Sequence, residues 1–250
     1  MNFKFLFLPA FFLFTVGLVI WWYLSPAQIG YAIAVATAGY ALGAWWLDRD
    51  RHDWWQLAFL PVFLFASATT YGLLISARPA LIIFAALLVI AETVYWRFAY
   101  LYALRPSSYP AFALERLSFY VNFAIIFCAS AAAFGVRTFL GIRLGIIAPL
   151  FALIIALIVY QWAWISKVEW KSAWRHIVVF AVIMTELFFI ASFLPLDFNV
   201  LGFLLATSYY AFISLAANQL EHTLDGRRVK LIFAVVGASW LIVLLTARWI

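Results

Sequence analysis

Residues 177–194 read IVVFAVIMTELFFIASFL, an apolar run interrupted by one carboxylic acid, Glu186. A helix needs about 20 mostly apolar residues to cross a hydrocarbon core of about 30 Å. This run has that length, and its acid lies near the middle. Apart from Glu92, every other ionisable residue falls near the end of an apolar segment or between segments. An ionisable group in hydrocarbon is expensive, which makes both acids candidate functional residues.

The rest of the chain has the same character. Of 250 residues, 68% are hydrophobic and 10% charged, whereas soluble domains are about half apolar and about a quarter charged. No polar stretch is long enough to form a soluble domain, so residues 1–250 read as a single transmembrane helical domain. Cys128 is the sole cysteine, which excludes an intrachain disulfide and any metal site built on several cysteines. The net charge of +6 comes from residues that punctuate the apolar segments. It therefore reports threading through a bilayer rather than a nucleic-acid partner.

Measured against the bilayer, the chain divides into nine apolar segments. They are residues 5–23, 29–46, 54–75, 79–96, 117–136, 139–162, 177–194, 200–217 and 229–247. The class expected is all-α and polytopic, with about nine transmembrane helices. The first segment, with Lys4 before it and Ser25-Pro26-Ala27 after it, resembles a signal peptide. It is longer than the usual apolar core of one and ends in Trp21-Trp22-Tyr23, residues that suit an interfacial anchor, so it is read as a retained helix.

Lysine and arginine set the orientation. With the N-terminus in the cytoplasm, Lys4, Arg49, Arg51, Arg97, Arg105, Arg116, Lys167, Lys171, Arg175, Arg227, Arg228 and Lys230 lie inside. Arg78, Arg137, Arg143 and Arg248 lie outside, giving twelve against four of the sixteen. That is the asymmetry of a positive-inside protein with a cytoplasmic N-terminus and an outer C-terminus, expected in the plasma membrane. The tryptophans near Trp45, Trp55, Trp96, Trp162 and Trp174 form an inner belt, and Trp21, Trp22 and Trp249 a thinner outer one.

Between the fourth and fifth segments, residues 97–116 (RFAYLYALRPSSYPAFALER) mix aromatic and basic side chains. This stretch is expected either to lie in the interface, with Tyr100, Leu101 and Leu104 dipping into lipid, or to form an ordinary loop. Small residues at helical spacing, Ala32, Ala36, Gly39 and Gly43, offer a face for close helix packing, and Gly141 with Gly145 repeats the spacing. Pro61 and Pro149 are expected to kink their helices. A three-helix repeat, residues 79–165 against 175–250, is suggested by Phe84-Ala85 before Glu92 and Phe180-Ala181 before Glu186; repeats of this kind build many transporters.

At 1.5 Å per residue Glu186 stands about 16 Å beyond Arg175, and Glu92 about 8 Å before Arg97. Asn122, about 9 Å beyond Arg116, matches Glu92 in depth and is its expected hydrogen-bond partner. Thr207, Tyr210, Ser214 and Asn218 form a polar stripe at helical spacing that could face Glu186. The helical neighbours of both acids are apolar, so each acid depends on other helices. As a neutral acid it can join helices through hydrogen bonds. Alternatively, it can load and release a proton as part of transport.

A second group lies at the predicted inner face, where His52, His222 and Asp53 could hold a divalent metal or serve acid–base chemistry. However, residues 48–53 (DRDRHD) alternate in sign like a solvated loop, and no recognised ligand spacing is present, so no metal is expected. A P-loop, G-x-G-x-x-G, G-x-S-x-G and cysteine pairs are all absent, and no cofactor is expected. Three functions are compatible with these residues. The first is a small proton-coupled carrier using Glu186 and Glu92, and the second a non-catalytic scaffold or subunit bound to other membrane subunits or to copies of itself. The third is a lipid-modifying enzyme at the inner interface. The bilayer is the expected partner in every case.

Overall fold

The computed structural model describes residues 29–47, 54–110, 112–220 and 223–247. These form eight α-helices: α1 (Ile29–Leu47), α2 (Trp54–Gly72), α3 (Arg78–Leu104), α4 (Ala113–Leu140), α5 (Leu144–Ile165), α6 (Trp170–Ala191), α7 (Phe198–Leu220) and α8 (Gly226–Thr246). A single 3-10 turn, Pro106–Ser108, joins α3 to α4. Six of the helices, α3 to α8, are long and apolar enough to cross a membrane. The protein is an all-α, multi-pass integral membrane protein. The expected first segment, residues 5–23, lies outside the described residues.

Two boundaries differ from expectation for a local reason. Residues 97–104 are neither interfacial strand nor loop, because α3 continues through them to Leu104 and buries Ala99 and Tyr100. Nothing in RFAYLYAL opposes a helix until Pro106, whose ring disfavours helical geometry at Arg105; that residue takes φ −138° and ψ 62°. At the other end of α4, the helix passes the expected stop at Val136 and ends at Leu140. Gly141 stops it with φ +64°, a left-handed conformation open to glycine without steric cost. Its N–H returns to the Arg137 carbonyl.

The chain forms two compact units, Met1–Asn122 and Phe123–Ile250, with the division inside α4. In the first unit, α1 turns Ala36, Tyr40, Gly43 and Ala44 inward. Tyr40 stacks on Trp96 of α3 (5.9 Å, 12°) and meets the edge of Phe65 of α2 at 6.0 Å. Pro61 sits inside α2 and has no N–H to give the carbonyl four residues back, which is that of Leu57. The Tyr95 hydroxyl of α3 donates to that same carbonyl at 3.0 Å. A helix–helix hydrogen bond thus replaces the intrahelical bond that proline removes.

In the second unit α7 and the C-terminal part of α4 are the most enclosed, and α8 is the most exposed. Gly202 of α7 lies against Ala131 of α4: a Cβ on Gly202 would stand 2.8 Å from the Ala131 Cβ and 3.0 Å from its backbone nitrogen. Phe188 of α6 is stacked between Phe134 of α4 (4.5 Å) and Phe151 of α5 (4.6 Å). Arg137 donates from its guanidinium to the Ser192 carbonyl at 2.6 Å. This places a cation on the open carbonyls at the C-terminus of α6, where the helix dipole favours it.

Candidate functional site

Glu92 stands in the middle of α3's buried face, with Leu88, Val89, Tyr95 and Trp96 around it on the same helix. It is 2% exposed. Neither of its oxygens completes a hydrogen bond with a described residue; the Trp96 indole, one turn on, is the polar group that bears on it. The bond expected from Asn122 is therefore not made, although Asn122 is fully buried on α4. Depth was matched correctly, but the direction of each side chain around its helix axis was not available from depth. Ser118, also buried, has an unpartnered hydroxyl.

Glu186 is placed in the opposite way. The inner face of α6 consists of Ala173, Phe180, Met184, Phe188 and Ala191, and Glu186 is on the other side, exposed. Val178, Val182, Phe189 and Ile190, also exposed, form an apolar band around it. None of the described residues hydrogen-bonds or ion-pairs with it. Because α6 ends at Ala191, Glu186 lies about 8 Å from the helix end rather than at its centre.

The polar stripe of α7 is directed to α8 instead of Glu186. The Trp240 indole N–H donates to the Thr207 hydroxyl at 2.8 Å, and that hydroxyl donates back to the Phe203 carbonyl. Tyr210 packs on the small cluster of Ala211, Ile232 and Val236. Asn218 donates to the Ser214 carbonyl and accepts from Arg228 at 2.9 Å and from Thr223 at 3.2 Å. The stripe is a seam that fastens the outermost helix, using hydrogen bonds because apolar surface gains little from packing against apolar surface in lipid.

Of the small residues, Ala36 and Gly43 lie on the buried face of α1 and Gly39 at its edge; the side chain of Ala32 lies outside the described residues. Gly141 and Gly145 do not pack as a pair, since a Cβ on either would meet nothing within 4 Å. Gly141 is a helix terminator, and the close helix contact is made by Gly202, which has no glycine partner at motif spacing. His52, Asp53 and His222 lie outside the described residues. Among the described residues, no group of three or more His, Cys, Asp or Glu could hold a metal ion.

One polar lock was not anticipated. In the α3–α4 connection the Tyr109 hydroxyl accepts the Leu114 N–H at 2.7 Å and donates to Glu115 Oε2 at 3.0 Å. It thereby caps the N-terminus of α4, whose open N–H groups need such acceptors. Burial pushes this hydroxyl up to about 12; the Leu114 N–H opposes the rise and Glu115 adds to it. Comparison of the chain with family models, with curated proteins and with solved structures returned no match.

Proposed function

We propose that this protein is a non-catalytic membrane subunit that works by assembling with other membrane-embedded chains through the outer face of α6. One observation carries the reading: Glu186 stands exposed inside an otherwise apolar band, Val182 and Phe189 beside it. Lipid tails offer such a group no hydrogen bond, and another helix does. The finer topology proposed with it is nine spanning helices, N-terminus in the cytoplasm and C-terminus outside, in the plasma membrane, on the twelve-to-four distribution of basic residues. The test is native mass measurement after extraction in mild detergent. The wild-type chain is expected above its monomer mass of 28.5 kDa, and Glu186→Leu nearer to it. A wild-type protein that runs only as a monomer from native membranes would sink the reading.

A second reading, proton-coupled transport, has its own supporting observation in Glu92, whose two oxygens are buried without completed hydrogen bonds. A carboxyl held in this way is suited to exchanging a proton when the surrounding helices part. Under this reading Glu92→Gln abolishes proton flux in proteoliposomes while leaving the fold intact; equal flux in the variant removes it.

A further inference from the structure

We propose that the occupant of the α6 face is a second copy of this chain, packed about a two-fold axis with Glu186 against Glu186 of the partner subunit. The inference rests on the assembly reading above and names its partner. Two outward faces differ in what they require. That of α8 is broad, with Leu231, Leu241, Ile242 and Leu245 among its exposed residues. Its Ser239 hydroxyl is already bonded to the Val235 carbonyl, so lipid satisfies the whole surface.

The α6 face is organised differently. Lys171, Arg175, Val178, Val182, Glu186, Phe189 and Phe193 are all exposed. They follow one another at steps of three or four residues, which is the spacing of a continuous seam along a helix. Within that seam a single polar residue sits between β-branched valines on one side and phenylalanines on the other. A lone polar group in an apolar seam sets register and number of chains.

The chemistry selects a second copy. All copies enter a membrane in one orientation, so a two-fold axis relating them runs along the bilayer normal and the interface is isologous. Every residue then meets its own equivalent at its own depth. A carboxyl group carries one donor and one acceptor when protonated. Two such groups facing each other satisfy one another completely, with the Glu186 hydroxyl donating to the partner's carbonyl oxygen and receiving the reciprocal bond. No third group is needed, and the valines and phenylalanines close above and below.

Oxidative cross-linking of the full chain in native membranes tests this, in a background where Cys128 is replaced by alanine. Phe189→Cys is expected to give an adduct at twice the monomer mass, and Ile83→Cys, on the exposed side of α3, none. Glu186→Gln, whose amide also donates and accepts, keeps the adduct. Glu186→Leu weakens self-association by about 3- to 10-fold, the worth of one or two hydrogen bonds between membrane helices. If Phe189→Cys is captured only by a chain of different mass, the second copy is excluded and the assembly reading stands. If no adduct forms and wild-type mass is monomeric, both are overturned. An undiminished adduct in Glu186→Leu overturns the role given to the acid.

Discussion

α3 and α6 each carry one glutamate in an apolar run, and the two helices turn it in opposite directions. Glu92 belongs to a face that packs on α1 and α2, where Tyr95 reaches the Leu57 carbonyl and Trp96 lies under Tyr40. Glu186 is on the side away from Met184 and Phe188, which are fully buried. The same residue type thus meets two different problems. Inside a packed seam, an acid costs whatever its unsatisfied oxygens cost. On an outer face, an acid is satisfied only when another helix arrives. Identical chemistry in the sequence therefore does not imply identical work in the molecule.

The sharpest way to break the comparison is to place a lysine at each site. Glu92→Lys buries an unpaired charge and is expected to cost roughly 3 kcal/mol or more, losing the folded protein on extraction. Glu186→Lys is expected to leave thermal unfolding in detergent nearly unchanged and to abolish self-association instead. Equal destabilisation at both sites would show that the two acids are not in different environments.

Gly202→Leu probes the interior of the second unit, where a Cβ alone would already press on the Ala131 backbone. Overpacking there is expected to cost about 2–3 kcal/mol, read as a lower unfolding temperature, whereas Gly145→Leu, in open space, is expected to cost little. Tyr95→Phe should cost about 1–3 kcal/mol by stranding the Leu57 carbonyl. Adding Pro61→Ala, which restores the missing N–H, should recover much of that loss in a double-mutant cycle.

Glu92→Met is expected to raise stability by about 1 kcal/mol, because it removes a buried polar group that has no completed bond. A fall in stability would instead mean that the acid holds the helices together. The smallest effect belongs to Tyr109. Its hydroxyl ionises at about 12 in the folded chain against about 10 when unfolded. The folded state therefore keeps a proton that the unfolded state loses. Its contribution is complete below about pH 10 and is lost as pH rises through about 12. Tyrosinate absorbance should lose this late-titrating component in Tyr109→Phe.

Most of the architecture was legible because membrane helices are written in long apolar runs ended by charge. Each apolar run among the described residues is a helix, and the Pro106 stop, the Gly141 terminator and the turn at Asp197 use chemistry visible in the chain. Asp197 accepts from both the backbone and the side-chain nitrogen of Asn199. The proline-to-carbonyl spacing of Pro61 and Leu57 was readable as well; its partner Tyr95 was not, since that required knowing which helix lies beside α2. Gly202 lacked the paired-glycine pattern, and Trp240 looked like one more aromatic in an apolar run.

The sequence by itself determined the membrane class, the helices, their breaks and the presence of two costly acids, because hydropathy, proline and basic residues act locally or against the bilayer as a whole. Only the tertiary structure decided which side of its helix each acid occupies in the folded chain. In an evenly apolar helix every face can be buried or exposed at similar cost, so periodicity leaves its rotation open. Packing against particular neighbours then fixes it, turning Glu92 in and Glu186 out.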